Sequence, residues 1–288
     1  MEKKVLIGTS GWSYDEWVGP FYPRELGKED FLIYYSEIFD TNEINTSFYQ
    51  IPRERVVEKW AFNTPDTFRF TAKLPKAITH DEYLSLDGSF PQVRRFLSAM
   101  NPLVEAGKLL SILIQLPPTF TREEHFGALK SFTKEWPEDP RERGYHLTVE
   151  FRHESWMEES VFEYLKENEI TYCAVIEPKL PDRMDVTAPE FAYIRFHGFG
   201  KDIWFDYLFT ETQIADWAEK VKKVIEKASI VGIYFNNHFS GYAVKNALMM
   251  MGALGIKPKK DPKKVSILDV KKKSGSYSKG QLGLDTFF

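Results

Sequence analysis

A chain of 288 residues and 33.6 kDa, 43% hydrophobic and 15% aromatic, has enough apolar surface for one large barrel or two smaller domains. A single cysteine, Cys173, excludes a disulfide framework and a cysteine-rich metal site, and no apolar run approaches the ~18 residues of a membrane span. The net charge of −4 is unevenly spread: from Ile256 onward nine lysines face three aspartates, a surplus of +6 that leaves −10 on the rest of the chain. The opening "MEKKVLIGTSG" has too short an apolar run for a secretory signal, so a cytoplasmic, membrane-free protein is expected.

Eight β-rich apolar runs then follow one another, at 4–10, 41–48, 68–74, 109–116, 146–152, 171–177, 191–198 and 229–237. Helical patterns separate most of them, at 53–62, 89–100, 121–135, 156–168 and 211–227, and another follows the eighth run at 241–253. The link "PKLPDRMDVTAPE" between the sixth and seventh runs is too proline-rich for a full helix. Eight strands with helical crossovers predict an α/β fold, a (β/α)8 TIM-type barrel with a basic C-terminal tail. A doubly wound open sheet is the alternative, but no glycine-rich phosphate loop follows the first run.

In such a barrel the carboxyl ends of the strands carry the active site, and alternation along each strand tells which residues share a face. One face collects Glu43, Asn45 and Ser47 from the second run, Arg69, Thr71 and Lys73 from the third, and Gln115 from the fourth. Glu150 and Arg152 come from the fifth, Arg195 and His197 from the seventh, and Asn236 or Asn237 from the eighth. Turned inward, these charges are hard to justify by stability alone, because each costs several kcal/mol to desolvate. Lys73, Arg152 and Arg195 against Glu43 and Glu150 make the mouth lean cationic, which suits an anion such as a phosphate.

Seven phrases in order, "GTSGWSYDEWVGPFYP", "NEINTSFY", "KLPKAITH", "LIQLPPTF", "VEFRHESW", "IRFHG" and "YFNNHFSGYAVKNA", resemble the YecE-like family, a domain of unknown function with a TIM-type barrel. The resemblance runs over about residues 4–255 and adds His80, His153, Trp156 and both Asn236 and Asn237 to the candidate positions. Its architecture is similar to the endonuclease-IV and xylose-isomerase barrels, and it leaves the reaction open.

The final residues, "QLGLDTFF", resemble in Gln281, Leu284, Phe287 and Phe288 a PIP box, the motif by which replication and repair proteins bind the sliding clamp, proliferating cell nuclear antigen (PCNA). Residues three and four apart share one side of a helical turn, so the leucine and two phenylalanines form one apolar plug. The chain therefore divides into a barrel over 1–255, a basic lysine-rich linker over 256–280 and a clamp-binding motif over 281–288. An archaeal source fits such a motif on an enzyme-like barrel.

The expected function is a clamp-recruited DNA-repair enzyme, an endonuclease or related hydrolase acting on damaged or unpaired DNA. Glu43 or Glu150 would activate water, Lys73, Arg152 and Arg195 would hold the phosphate, and His80 or His197 would protonate the leaving oxygen. Lys73 is alternatively a Schiff-base nucleophile. Trp12, Tyr14 and Trp17, with Phe21 and Tyr22, offer stacking surfaces for a base. A divalent metal (Mg²⁺, Mn²⁺ or Zn²⁺) on Glu43, Glu150 and His197, with His80 or His153, is compatible but not compelled, since no HExxH motif is present. A metabolic hydrolase or isomerase acting on a phosphorylated small molecule and a non-catalytic clamp or nucleic-acid adaptor are the alternatives.

Overall fold

The structure, a computed structural model, describes residues 3–274. Its eight strands are β1 (Lys4–Thr9), β2 (Thr41–Ile44), β3 (Arg69–Lys73), β4 (Leu109–Gln115), β5 (His146–Glu150), β6 (Thr171–Ile176), β7 (Phe191–Phe196) and β8 (Ile230–Phe235), all in parallel pairs. They run in the order β1-β8-β7-β6-β5-β4-β3-β2, the (β/α)8 barrel that eight apolar runs predict. Helices α1 (Phe31–Ser36), α2 (Thr46–Tyr49), α3 (Glu54–Phe62), α4 (Leu86–Glu105), α5 (Arg122–Lys134), α6 (Glu159–Glu167), α7 (Glu211–Ile225) and α8 (Tyr242–Ala253) supply the crossovers and outer wall. No helix fills the proline-rich link between β6 and β7.

Both faces of each strand are covered, which is why the runs read as nearly unbroken apolar stretches. Outward residues such as Phe70, Ile112, Ile194 and Phe235 pack beneath the helices. Inward residues Leu6, Leu113, Cys173, Phe191, Tyr193 and Tyr234 fill the barrel. Above that apolar plug, toward the carboxyl ends, the interior turns polar.

The ring closes by side chains as much as by backbone. At the β1–β2 seam a ladder forms only near the top, where Ser10 bridges Glu43 and the Gly11 N–H donates to the Glu43 carbonyl at 2.8 Å. Below it the Tyr35 hydroxyl accepts from the Thr9 N–H at 2.9 Å and donates to the Thr41 carbonyl at 3.1 Å, standing in for the missing rung. The strands approach so closely here that a Cβ on Gly8 would lie 2.2 Å from the Thr41 oxygen.

Residues 256–274, expected to act as a linker, lie instead against α1 and the turn after it. The Lys259 N–H donates to the Ile38 carbonyl, Tyr34 donates to the Pro262 carbonyl at 2.8 Å, and Val270 is buried in the main core. Lys259 pairs with Asp40 at 2.6 Å, while Lys260 and Lys273 both pair with Glu37. Several of the surplus lysines are thus spent on an acidic patch of the barrel's own wall. Gln281, Leu284, Phe287 and Phe288 lie outside the described residues. Among the described residues no helix is long and apolar enough to cross a membrane.

Candidate active site at the carboxyl end of the barrel

Alternation along β7 aims Tyr193, Arg195 and His197 into the barrel, and Arg195 is only 1% exposed. Its Nη2 donates to Glu43 Oε1 at 2.7 Å and its Nη1 donates to Glu150 Oε2. The second oxygen of Glu43 accepts from the Tyr193 hydroxyl at 2.5 Å, which in turn lies 2.7 Å from Thr71 Oγ1. Arg152, just past β5, donates from Nε to Glu150, from Nη1 to Glu177 and from Nη2 to His197 Nε2 at 2.8 Å. The two guanidinium groups therefore share one carboxylate and each hold a second.

These contacts set the charge states. Burial alone would raise the Glu150 carboxyl, but Arg152 and Arg195 outweigh it and hold the group well below the ordinary carboxylate range. Glu177 goes the other way: burial raises it, and Arg152 only partly opposes the rise. A guanidinium can only donate, so His197 Nε2 must be the accepting nitrogen. Burial, followed by Arg152 and Arg195, keeps that imidazole neutral. Its Nδ1 meets the Asn236 amide at 2.9 Å.

Over this network opens a cavity of about 320 Å³, lined by residues that include Trp12, Tyr14, Asn45, Phe48, Tyr49, Lys73, Arg152, Arg195, Phe205, Asn236 and His238. Among the described residues no carboxylate lines it; Glu43, Glu150 and Glu177 sit behind the arginines. The Lys73 ammonium lies 3.7 Å from the centre of the Phe48 ring. No carboxylate among the described residues forms an ion pair with it. Burial, and then Arg195, bring its pKa down from 10.5 to about 7 against the opposing pull of Glu150. Two floor atoms, Arg195 Nε and Asn45 Oδ1, have no hydrogen-bond partner among the described residues. The walls are aromatic: Tyr14 stacks on His238 at 4.7 Å, and Tyr49 stands 83% exposed at the rim.

Of the residues expected at the mouth, Trp12, Tyr14, Asn45, Lys73, Arg152, Arg195 and Asn236 line the cavity, while Glu43, Glu150 and His197 form the layer beneath it. Others do different work. Trp17 is fully buried and donates Nε1–H to the His238 carbonyl at 2.7 Å, so it props the rim instead of facing it. Phe21 and Tyr22 are likewise buried, with Tyr22 stacked on Phe31 at 4.0 Å. Trp156 stacks on Phe151 at 4.6 Å under the wall and donates to the Phe120 carbonyl. Asn237 has the opposite parity to Asn236 and bonds outward to Asn246 and the Tyr207 carbonyl. His153 accepts from the Ser155 N–H and caps a short turn, and Gln115 donates to the Leu116 carbonyl. His80 packs edge-on against Phe48 outside the lining, its pKa lowered to about 4 by burial and then Lys73.

Glu177, Phe48, Phe205 and His238 were not anticipated. Glu177 had a signal, since it closes the sixth run with the parity of inward Cys173 and Val175. Its carboxylate also corrects the cationic sum expected for the mouth: three carboxylates balance three cations, and only their layering presents positive charge outward. Among the described residues no group of three or more His, Cys, Asp or Glu is placed to hold a metal ion. Glu43 and Glu150 already have guanidinium partners where a metal would need them free.

The barrel, its inward network and the phrases that build it now meet a family pattern. A family model described as "Protein of unknown function DUF72" matches residues 6–267. The chain belongs to the DUF72 family. It is 25% identical over 277 residues to UPF0759 protein YunF of Bacillus subtilis, covering 88% of this chain and 95% of that protein. UPF0759 protein YecE of Escherichia coli is 34% identical over 149 residues, 52% of this chain and 48% of that one. A crystal structure of a DUF72 family protein from Thermotoga maritima superposes with a TM-score of 0.77 at 32% identity, covering 88% of this chain and 99% of that one. The YecE-like resemblance of the sequence and the TIM-type barrel therefore hold together as one assignment.

Proposed function

We propose that this DUF72 barrel is a DNA-repair enzyme, a hydrolase acting on a damaged or unpaired nucleotide at its mouth and recruited to DNA by the sliding clamp. The observation that carries the reading is the cavity of about 320 Å³ with aromatic walls, a floor of Lys73, Arg152 and Arg195, and no lining carboxylate among the described residues. That size suits a single small ligand or extruded nucleotide and excludes a duplex. Trp12, Tyr14 and Phe48 border the space that a base would enter, and the guanidinium edges offer donors to a phosphate. Recruitment would fall to Gln281, Leu284, Phe287 and Phe288, with PCNA as partner; a cytoplasmic setting and an archaeal source belong to the same reading.

Two measurements test it. Duplexes carrying an abasic site, a uracil or a mismatch should be incised, and the incision should be stimulated by the clamp. Calorimetric titration of the clamp should give micromolar or tighter binding to the full chain and none to a chain ending at Gly280. No incision of any substrate and no clamp binding by either form would refute the proposal. The size of the cavity favours one second reading, an enzyme of free phosphorylated metabolites that is indifferent to loss of the last eight residues.

A further inference from the structure

The reading above treats Lys73 as one phosphate-holding cation among three, but its surroundings are unlike those of the two arginines. Arg152 and Arg195 each spend their donors on two carboxylates, whereas Lys73 has an aromatic ring beneath it and no ion pair among the described residues. An ammonium kept only to bind phosphate is repelled by two guanidinium groups beside it until an anion arrives, and gains from them only then. An amine kept as a nucleophile does gain, because those neighbours favour the unprotonated form that can attack. The cavity in front of it offers what a carbonyl substrate with a phosphate would need: the Arg195 side chain, whose Nε has no partner among the described residues, an Arg152 edge, and aromatic walls.

Resting on the reading of the mouth as an active site, we infer that Lys73 forms an imine with an aldehyde that carries a phosphate group. The Nζ lone pair attacks the carbonyl carbon to give a carbinolamine. Loss of the former carbonyl oxygen as water leaves C=N–Lys73, so one aldehyde and one amine become one imine and one water, with no change in oxidation state. The phosphate, seated on the arginines, brings the negative charge that offsets a protonated imine. Two sources share this chemistry: the ring-opened deoxyribose of an abasic site in DNA and a free phosphorylated aldehyde.

Reductive trapping separates them. The full chain is incubated with cyanoborohydride and either an abasic-site duplex or glyceraldehyde 3-phosphate, and the adduct is located by peptide mass spectrometry. The expected result is a stable adduct at Lys73 from at least one probe, tenfold or more above any other single lysine and absent in Lys73→Met and Lys73→Arg. Its yield should rise about tenfold from pH 6 to pH 8 and then level off, in keeping with an amine that titrates near 7, whereas surface lysines keep gaining reactivity to pH 10. Adduct with the duplex alone assigns the DNA source, and adduct with the free aldehyde alone assigns the metabolite. Labelling spread evenly over lysines, adduct formation retained by Lys73→Met, or none with either probe overturns the inference. Incision of abasic DNA, scored without reductant, keeps the two claims apart: incision without trapping leaves the repair enzyme standing and removes the imine.

Discussion

Lys73→Met tests the electrostatics of the mouth without reference to any substrate. Methionine keeps the unbranched stem and a favourable contact with the Phe48 ring but removes the charge. A pKa moved from 10.5 to about 7 corresponds to roughly 5 kcal/mol of unfavourable charge burial, at about 1.4 kcal/mol per pH unit. Losing the cation–ring contact returns ~1–2 kcal/mol of that, leaving a net gain of about 3 kcal/mol for the variant. The sign follows from linkage. Below pH 7 the amine is charged in both the folded and the unfolded chain, and the folded state bears the whole cost. Between about 7 and 10.5 the folded amine has lost its proton while the unfolded one retains it, so the cost fades, and above 10.5 it is gone. Urea unfolding at pH 6, 8 and 10 should therefore show the variant more stable at pH 6, less so at pH 8, and nearly equal to the parent at pH 10. An advantage of the same size at pH 6 and pH 10, or a loss at every pH, would show that Lys73 carries no such burden and that its charge is paired.

Arg195→Met leaves Glu43 and Glu150 buried without their shared partner and should cost about 3–5 kcal/mol in urea unfolding, with Arg195→Lys recovering only part because one ammonium cannot serve both. A loss below ~1 kcal/mol would mean that water reaches the carboxylates. Tyr35→Phe removes the hydroxyl that bridges Thr9 and Thr41 at the barrel seam, and should cost ~1–3 kcal/mol while accelerating amide exchange at Thr9; unaltered exchange there would mean that the seam is held otherwise. Burial raises the Glu37 carboxyl, but Lys260 and Lys273 more than offset it and place it below its ordinary 4.5. Its contribution is therefore complete above 4.5 and lost as the pH falls through the folded value, so amides in 259–274 should lose protection on acidification and in Glu37→Gln at pH 7. Protection independent of both would place the anchor of this segment elsewhere.

Parity was the most informative property of the sequence. Residues two apart in a strand must share a face, so the sequence places Glu43, Asn45, Lys73, Glu150, Arg152, Arg195 and His197 together, with either Asn236 or Asn237, and the structure gathers the seven and Asn236 at one end of the barrel. Parity says which face a residue takes but not how deep its charge lies or with which partner. The division into a carboxylate layer and a cationic layer was invisible for that reason. Loops obey no period, so Phe205 and His238 carried no signal, and the first-loop aromatics could not be sorted into lining Trp12 and Tyr14 and buried Trp17, Phe21 and Tyr22. The stretch 256–274 misled for another reason. Lysine density reads as a solvated linker, yet Glu37 and Asp40 on the barrel wall provide the countercharges that anchor it.

The layering at the mouth bears on what the buried charges are for. An apolar core of the same volume would be as stable as the Arg195–Glu43–Glu150–Arg152–Glu177 network, or more so, because desolvating five ions costs about as much as their pairing returns. Stability therefore does not explain the network, but orientation does. Each arginine is fixed by two carboxylates behind it, which removes its rotamer freedom and leaves a guanidinium edge facing the cavity. A free arginine at the same rim would have to be ordered by its ligand, at roughly 0.5–1.5 kcal/mol for each side chain immobilised. The network meets that ordering cost during folding, before any ligand arrives. It also fixes two cations beside Lys73, which add to the effect of burial in bringing its pKa down to about 7, so that part of the amine is unprotonated at neutral pH. The buried carboxylates thus serve the cavity at one remove: they hold in place the guanidinium groups that line it beside Lys73.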